Sequence, residues 1–172
     1  MFAQPTTTFR GAHYEVGDVP NLPPPVQQPR PPIHVGGAGE RFTLPLVARY
    51  ADVWNCPTYA LADLGAKRAV LERECAAVGR DPADIRISLE AVLVLGANGA
   101  DVADALALAE RRYPGPGFGL HEGDFIGTPG EIIAKMQASA AEGVSLFVFF
   151  THDRAAPGTL RLLAEEVVPA FR

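Results

Sequence analysis

From Ile33 onward the hydrophobic positions fall into two alternating patterns. Apolar runs of strand length occur at Ile33–Val35, Asp52–Asn55, Ile85–Gly96 and Val144–Phe150. Between and after them, apolar residues recur at helical spacing. The groups are Leu44, Val47, Ala48 and Ala51; then Leu61, Leu64, Leu71, Cys75 and Val78; then Val102, Leu106 and Tyr113. Ile132, Ile133, Met136 and Ala140 form a fourth stripe, and Leu160, Leu163 and Val167 a fifth. The second half of the third run and the whole fourth run are continuously apolar, which predicts strands covered on both faces.

Local signals punctuate this pattern. Pro45 suits the first turn of a helix, where N–H groups lack partners anyway. Asp63 and Lys67 stand four apart on the solvent side of the second helix. Gly79-Arg80-Asp81-Pro82 predicts a turn. Thr128-Pro129-Gly130-Glu131 predicts a capped helix start, and Gly143 its stop. The stretch from Tyr113 to Ile126 is rich in glycine and proline and long for a compact domain, which marks it as a lid or binding loop. Strand and helix thus alternate four times, which predicts parallel strands with helical crossovers. Two architectures satisfy this. One is an open doubly wound sheet; the other is part of a (β/α)8 barrel, whose full form takes about 250 residues.

Residues 1–32 differ from the rest. They carry eight of the sixteen prolines, including Pro23-Pro24-Pro25 and Pro31-Pro32. Proline removes a donor and fixes φ, so neither helix nor central strand is expected there. The reading is an extended arm ordered where it lies against something, or a floppy tail, with a short hairpin or turn at Phe9–Tyr14. The domain division is 1–32 for the arm and 33–172 for the α/β domain.

Composition narrows the function classes. The chain has 172 residues, 48% hydrophobic and 20% charged, with net charge −5. No long basic run occurs, so nucleic acid and anionic membrane surfaces are not expected partners. No apolar run approaches the ~20 residues of a spanning helix. The N-terminus lacks a charged region followed by an apolar core, so a secretory signal is not expected. Cys56 and Cys75 form no metal or redox spacing, which fits a reduced, cytoplasmic setting and no metal site.

Candidate chemistry centres on Pro32-Ile33-His34-Val35-Gly36-Gly37-Ala38-Gly39-Glu40. A buried strand runs into a glycine turn, and a helix opens at about residues 41–44. Three glycines and an alanine leave the backbone bare, so N–H groups at a helix N-terminus can meet an anion such as phosphate. A tight turn with no ligand explains the same residues. His34 reads as a hydrogen-bonded core histidine. His152 and Asp153 follow the fourth strand and read as an exposed loop pair. Glu90, mid-strand among apolar residues, reads as half of an ion pair with Arg86. His121, Glu122 and Asp124 read as a solvated loop, and Cys56 as a small buried hydrophobe. No Ser-His-Asp or paired-carboxylate arrangement is present, and no catalytic residue is assigned.

Two stretches carry a resemblance: Pro31 to Glu40, and Leu46-Val47-Ala48-Arg49-Tyr50-Ala51-Asp52-Val53-Trp54-Asn55. Phe125-Ile126-Gly127-Thr128-Pro129 and Gly143-Val144 follow in the same order. Together they resemble the second half of the luciferase-like monooxygenase family, closest in style to its members that use a deazaflavin coenzyme. The resemblance covers nearly the whole chain. It implies half of a (β/α)8 TIM barrel, four parallel β/α units behind a proline-rich N-terminal arm. It implies FMN or the deazaflavin coenzyme F-420 at the C-terminal strand ends, with a small organic substrate. The cofactor-binding role falls on Gly36, Gly37, Ala38, Gly39 and Glu40, with Asn55 and Cys56 facing the ligand. Val53 stands where the family usually has glycine. Counterparts of the first four strands are absent, so the resemblance implies a homodimer or partner that completes the site. The alternative is an inactive truncated relative acting as a binding or assembly module.

Overall fold

The computed structural model describes residues 2–115 and 119–172, in two units, Met1–Ile33 and His34–Arg172. In the first, β1 (Thr6–Arg10) pairs antiparallel with β2 (Glu15–Pro20). Phe9 to Tyr14 therefore includes the tip of a hairpin, where the Gly11 N–H donates to the Tyr14 carbonyl at 2.9 Å. The Thr8 hydroxyl donates to Asp18 Oδ1 at 2.9 Å beside a bulge between Thr7 and Phe9. The six prolines from Pro23 to Pro32 remove ladder donors, and no regular element follows β2 in this unit.

The second unit is an α/β fold on one parallel sheet. Its strands are β3 (His34–Gly36), β4 (Val53–Pro57), β5 (Arg86–Leu95), β6 (Phe125–Gly127) and β7 (Val144–Thr151). Its helices are α1 (Thr43–Tyr50), α2 (Leu64–Val78), α3 (Gly99–Arg112), α4 (Pro129–Ala141) and α5 (Pro157–Leu162). The four sequence-read strands are all present, and every pairing among them is parallel. β6 is additional, too short for periodicity to show. Of the long loop read at 113–126, residues 116–118 lie outside the described residues.

Register explains how the sheet makes room for a site. β5 is the common neighbour: β4 pairs with it over Arg86–Glu90 and β7 over Ile87–Leu93. Leu93 pairs with both Phe125 and Thr151, so β6 and β7 lie on opposite sides of β5. β6 therefore takes over the side that β4 leaves after Glu90. Between them, at Ala91 and Val92, β5 has no ladder partner on that side.

Alternation sorts the side chains into two faces. Trp54, Cys56, Ile87, Leu89 and Leu93 point one way and form the main core with Leu44, Val47, Leu71, Cys75, Ile132 and Val167. Phe125 packs edge-on against Phe147 and Phe149 within this layer. The opposite face carries Asn55, Ser88, Glu90, Val92, Val148 and Phe150. Towards the end of β5 it is covered by α3, where Ala105 and Ala109 pack on Val92 and Val94.

The helix ends follow their sequence signals. Both the N–H and the hydroxyl of Thr128 donate to Glu131 Oε2 at 2.8 Å, with Pro129 in the first turn of α4. These bonds hold the Glu131 carboxyl below its usual range. Gly79, with φ +70°, closes α2, its N–H and that of Arg80 donating to the carbonyls of Ala76 and Cys75.

Several burial expectations are corrected. β7 is not covered on both faces: Val148 and Phe150, on the face opposite the main core, are exposed. His34 is exposed at the sheet edge rather than in the core. Val78 and Leu160 are exposed rather than inward. In α4 the buried position is Ser139, not Ala140; its hydroxyl bonds the Lys135 carbonyl one turn back at 3.0 Å. In α3 the buried contacts are Ala105 and Ala109, small enough to let the helix approach β5 closely. No helix among the described residues is long and apolar enough to cross a membrane.

Candidate functional site

The parallel strands end at a cleft of about 460 Å³. Gly36 and Gly37 form its rim beyond β3; Asn55 and Pro57, then Thr58 and Tyr59, form the wall at the end of β4. Glu90, Ala91 and Val92 are its floor, where the β4 pairing ends. Tyr113, His121, Asp124 and Phe150 close the far side. The C-terminal ends of parallel strands are where barrels and open α/β sheets both place ligands.

The glycine turn is fixed from behind. The Gly37 N–H donates to the Asn55 carbonyl at 3.1 Å, continuing the β3–β4 ladder. The Gly37 carbonyl accepts from Trp54 Nε1 at 2.7 Å. Gly37 has φ +111°, which L side chains rarely adopt, and a Cβ there would meet Thr43 Cγ2 at 3.3 Å. The Gly39 carbonyl accepts from the N–H groups of Thr43 and Leu44 and starts α1. Gly36 is different: its backbone is extended, and a Cβ would find Asn55 Nδ2 at an ordinary 3.8 Å. Its bareness leaves the rim open but is not forced by strain.

Three polar side chains cross the floor in line. Ser88 Oγ donates to Asn55 Oδ1 at 2.7 Å, and Asn55 Nδ2 donates to Glu90 Oε2 at 2.8 Å. Glu90 thus pairs with an amide, and no Arg86–Glu90 ion pair exists among the described residues. Arg86 is exposed at the start of β5.

The loop before β6 is pinned rather than solvated. Asp124 is buried, and its Oδ1 accepts from the Val92 N–H at 2.8 Å, filling the gap between β4 and β6. Its Oδ2 accepts from the His121 N–H at 2.7 Å. Lys135 Nζ, from α4, donates to the carbonyls of Glu122 and Asp124. Burial pulls the Lys135 ammonium below its usual range, partly offset by the carboxylates of Asp124 and Glu122. The His121 ring then stands edge-on to Tyr59, centroids 6.2 Å apart.

The residues singled out in the sequence separate here. Gly36, Gly37 and Asn55 border the cleft. Ala38 is packed into the core, Gly39 starts the helix, and Glu40 is exposed and paired with Lys67 at 2.7 Å. That hydrogen bond and charge hold the Glu40 carboxyl below its usual range. Cys56 does not face the ligand, because strand alternation turns it opposite to Asn55, into the core. Burial pushes its thiol up to about 11, so it stays protonated and unreactive.

His152 and Asp153 are not an exposed pair: His152 is buried, its N–H donating to the Leu93 carbonyl at 2.9 Å. They line a separate depression between α3 and α5. Burial raises the Asp153 carboxyl, but bonds from Thr159 Oγ1 and the Ala156 N–H, with His152 nearby, outweigh it and lower it overall. No group of three or more His, Cys, Asp or Glu able to hold a metal occurs among the described residues. Ser88, Tyr59, Tyr113 and Phe150 were not singled out in the sequence. Period two along β5 puts Ser88, Glu90 and Val92 on one face, but their alignment with Asn55 needs the cross-strand register.

The chain belongs to the luciferase-like monooxygenase family: residues 1–126 match the family described as luciferase-like monooxygenase. Solved structures share the fold. Monooxygenase RslO1 from Streptomyces bottropensis is 19% identical with TM-score 0.65, over 99% of this chain and 57% of that one. The coenzyme F420-dependent tetrahydromethanopterin reductase from Methanopyrus kandleri is 16% identical with TM-score 0.72, over 99% of this chain and 59% of that one. An F420-dependent secondary alcohol dehydrogenase is 15% identical with TM-score 0.71, over 97% and 56%. The chain therefore spans somewhat over half the length of these relatives.

Proposed function

We propose that this member of the luciferase-like monooxygenase family contributes four β/α units of a (β/α)8 barrel and, in its strand-end cleft, one side of a site for FMN or F-420 and a small organic substrate. The supporting observation is that β3, β4, β5 and β7 all run parallel and deliver residues to one cleft. The rim fits a flavin-type group: Gly36 and Gly37 line the cleft without side chains, so a ligand can approach the backbone there closely. Tyr113, Val92 and Phe150 offer apolar surface for a ring, and Asn55 and Glu90 offer polar edges. When bound, the coenzyme supplies hydride transfer or oxygenation, and the protein supplies binding and orientation.

This chain's residues do the holding. Trp54 and Asn55 fix the glycine rim, Asp124 and Lys135 fix the loop that carries His121, and the Ser88–Asn55–Glu90 chain fixes the floor. Among the described residues β3 and β7 each keep one unpaired edge, and Phe150 stands 51% exposed beside the cleft. A homodimer covers these edges and supplies the remaining walls.

Fluorescence titration with FMN and with F-420, on the species sized by light scattering, tests this reading. One coenzyme binds saturably, and Gly36→Val, which the extended backbone tolerates, weakens it by about tenfold or more by filling the rim. Bound coenzyme with no turnover on any substrate makes the chain a binding module. No saturable binding of either coenzyme contradicts the proposal.

A further inference from the structure

We infer that Glu90 sets the substrate selectivity of the cleft, accepting a hydrogen bond from an N–H or O–H group, so that amines and alcohols enter and carboxylates are excluded. The inference rests on the reading of the cleft as the substrate site and adds the class of molecule it takes.

The direction of each hydrogen bond is what carries it. The Ser88 hydroxyl has two acceptors in reach, Asn55 Oδ1 at 2.7 Å and the Trp54 carbonyl at 3.5 Å. The shorter bond turns the Asn55 amide so that Nδ2 faces Glu90 Oε2, at 2.8 Å. A donor on that side needs an acceptor on Glu90, and Oε2 supplies it. One carboxylate oxygen is thereby committed. The other has no protein partner among the described residues. It is not sealed off either, since the buried side-chain atoms lacking a partner are Thr7 Oγ1 and His152 Nδ1. Glu90 therefore presents a solvent-reached acceptor to the cleft it lines.

Of the two carboxylates that line the cleft, Glu90 is the one with an open oxygen. Asp124 spends both oxygens on the Val92 and His121 N–H groups. Among the described residues no lysine or arginine lines the cleft. A ligand carboxylate would meet uncompensated negative charge in a partly desolvated site, whereas a donor satisfies the open oxygen. Ser88 is a positioning residue: it aims the Asn55 amide, which in turn aims the carboxylate.

Three matched probes test this by ligand-observed NMR on the coenzyme-treated protein: benzylamine, benzyl alcohol and benzoate. Benzylamine and benzyl alcohol bind at least about tenfold more tightly than benzoate. In Glu90→Gln the preference for benzylamine over benzoate falls to within about threefold. Ser88→Ala reduces the preference, and Ser88→Thr, which keeps a hydroxyl, restores it. Equal binding of the three probes, binding of none, or a preference that survives Glu90→Gln overturns the inference. The coenzyme titration on the same samples separates the two claims. Coenzyme binding without selectivity sinks this inference alone; Glu90-dependent selectivity without coenzyme binding sinks the coenzyme reading and leaves the inference standing.

Discussion

Replacing Trp54 by alanine is expected to destabilise the second unit by about 3–5 kcal/mol, the range for deleting a large buried aromatic. Trp54 is fully buried on the helix-covered face of β4, between Val35 and Ile87 in the ladder. The substitution opens a cavity that the surrounding strands and helices cannot collapse into. It also removes the 2.7 Å bond from Nε1 to the Gly37 carbonyl. Urea unfolding measures the loss, a midpoint shift of about 2 M at a slope of about 2 kcal/mol per M. Trp54→Phe keeps most of the buried area and costs about 1 kcal/mol for the lost hydrogen bond. It should weaken ligand binding at the glycine rim more than it weakens the fold. A cost below about 1 kcal/mol for alanine would show that Trp54 is not the support of that turn.

The second large effect is electrostatic. Asn55→Asp removes a charge-assisted hydrogen bond worth about 1.5–3 kcal/mol and sets a second carboxylate beside Glu90. The amide nitrogen it replaces stands 2.8 Å from Glu90 Oε2. Two carboxylates that close cannot both ionise cheaply, so one folded pKa rises above its unfolded value. The folded variant then binds more protons than the unfolded chain, and its stability falls as pH rises through the raised value. The gap between variant and wild type is therefore largest near about pH 8 and shrinks towards about pH 5, as the pair comes to share a proton. Urea midpoints at the two pH values report it. A gap that does not change with pH would mean that the two side chains do not meet.

Much of the fold was legible because its signals are local. The strand runs, the Thr128-Pro129-Gly130-Glu131 start and the turn at Gly79 each depend on a few adjacent residues and hold in the structure. What was hidden depends on pairing. β6 is three residues whose only mark is that β4 stops early along β5. Asp124 looked like a loop acid because its task, taking the N–H that the ladder leaves at Val92, exists only after the sheet forms. His34 and β7 looked buried because their composition is that of covered strands, yet both lie at sheet edges. Cys56 is read two ways, as a small buried hydrophobe and, by the resemblance, as facing the ligand; the first holds, because alternation from Asn55 turns it away from the cleft. The glycine rim and Asn55 were readable as candidates from the sequence. The line through Ser88 to Glu90 was not, since it needs the register of β4 against β5.

The central claim is that a flavin-type coenzyme meets this chain at the C-terminal ends of its parallel strands. Amide chemical shifts of isotopically labelled protein, followed as FMN or F-420 is added, test it most directly. The account predicts shifts at Gly36 to Phe42 and at Asn55 to Tyr59, and none at the opposite strand ends, near Asp81 to Arg86. Shifts confined to those opposite ends, or none anywhere at saturating coenzyme, would contradict it.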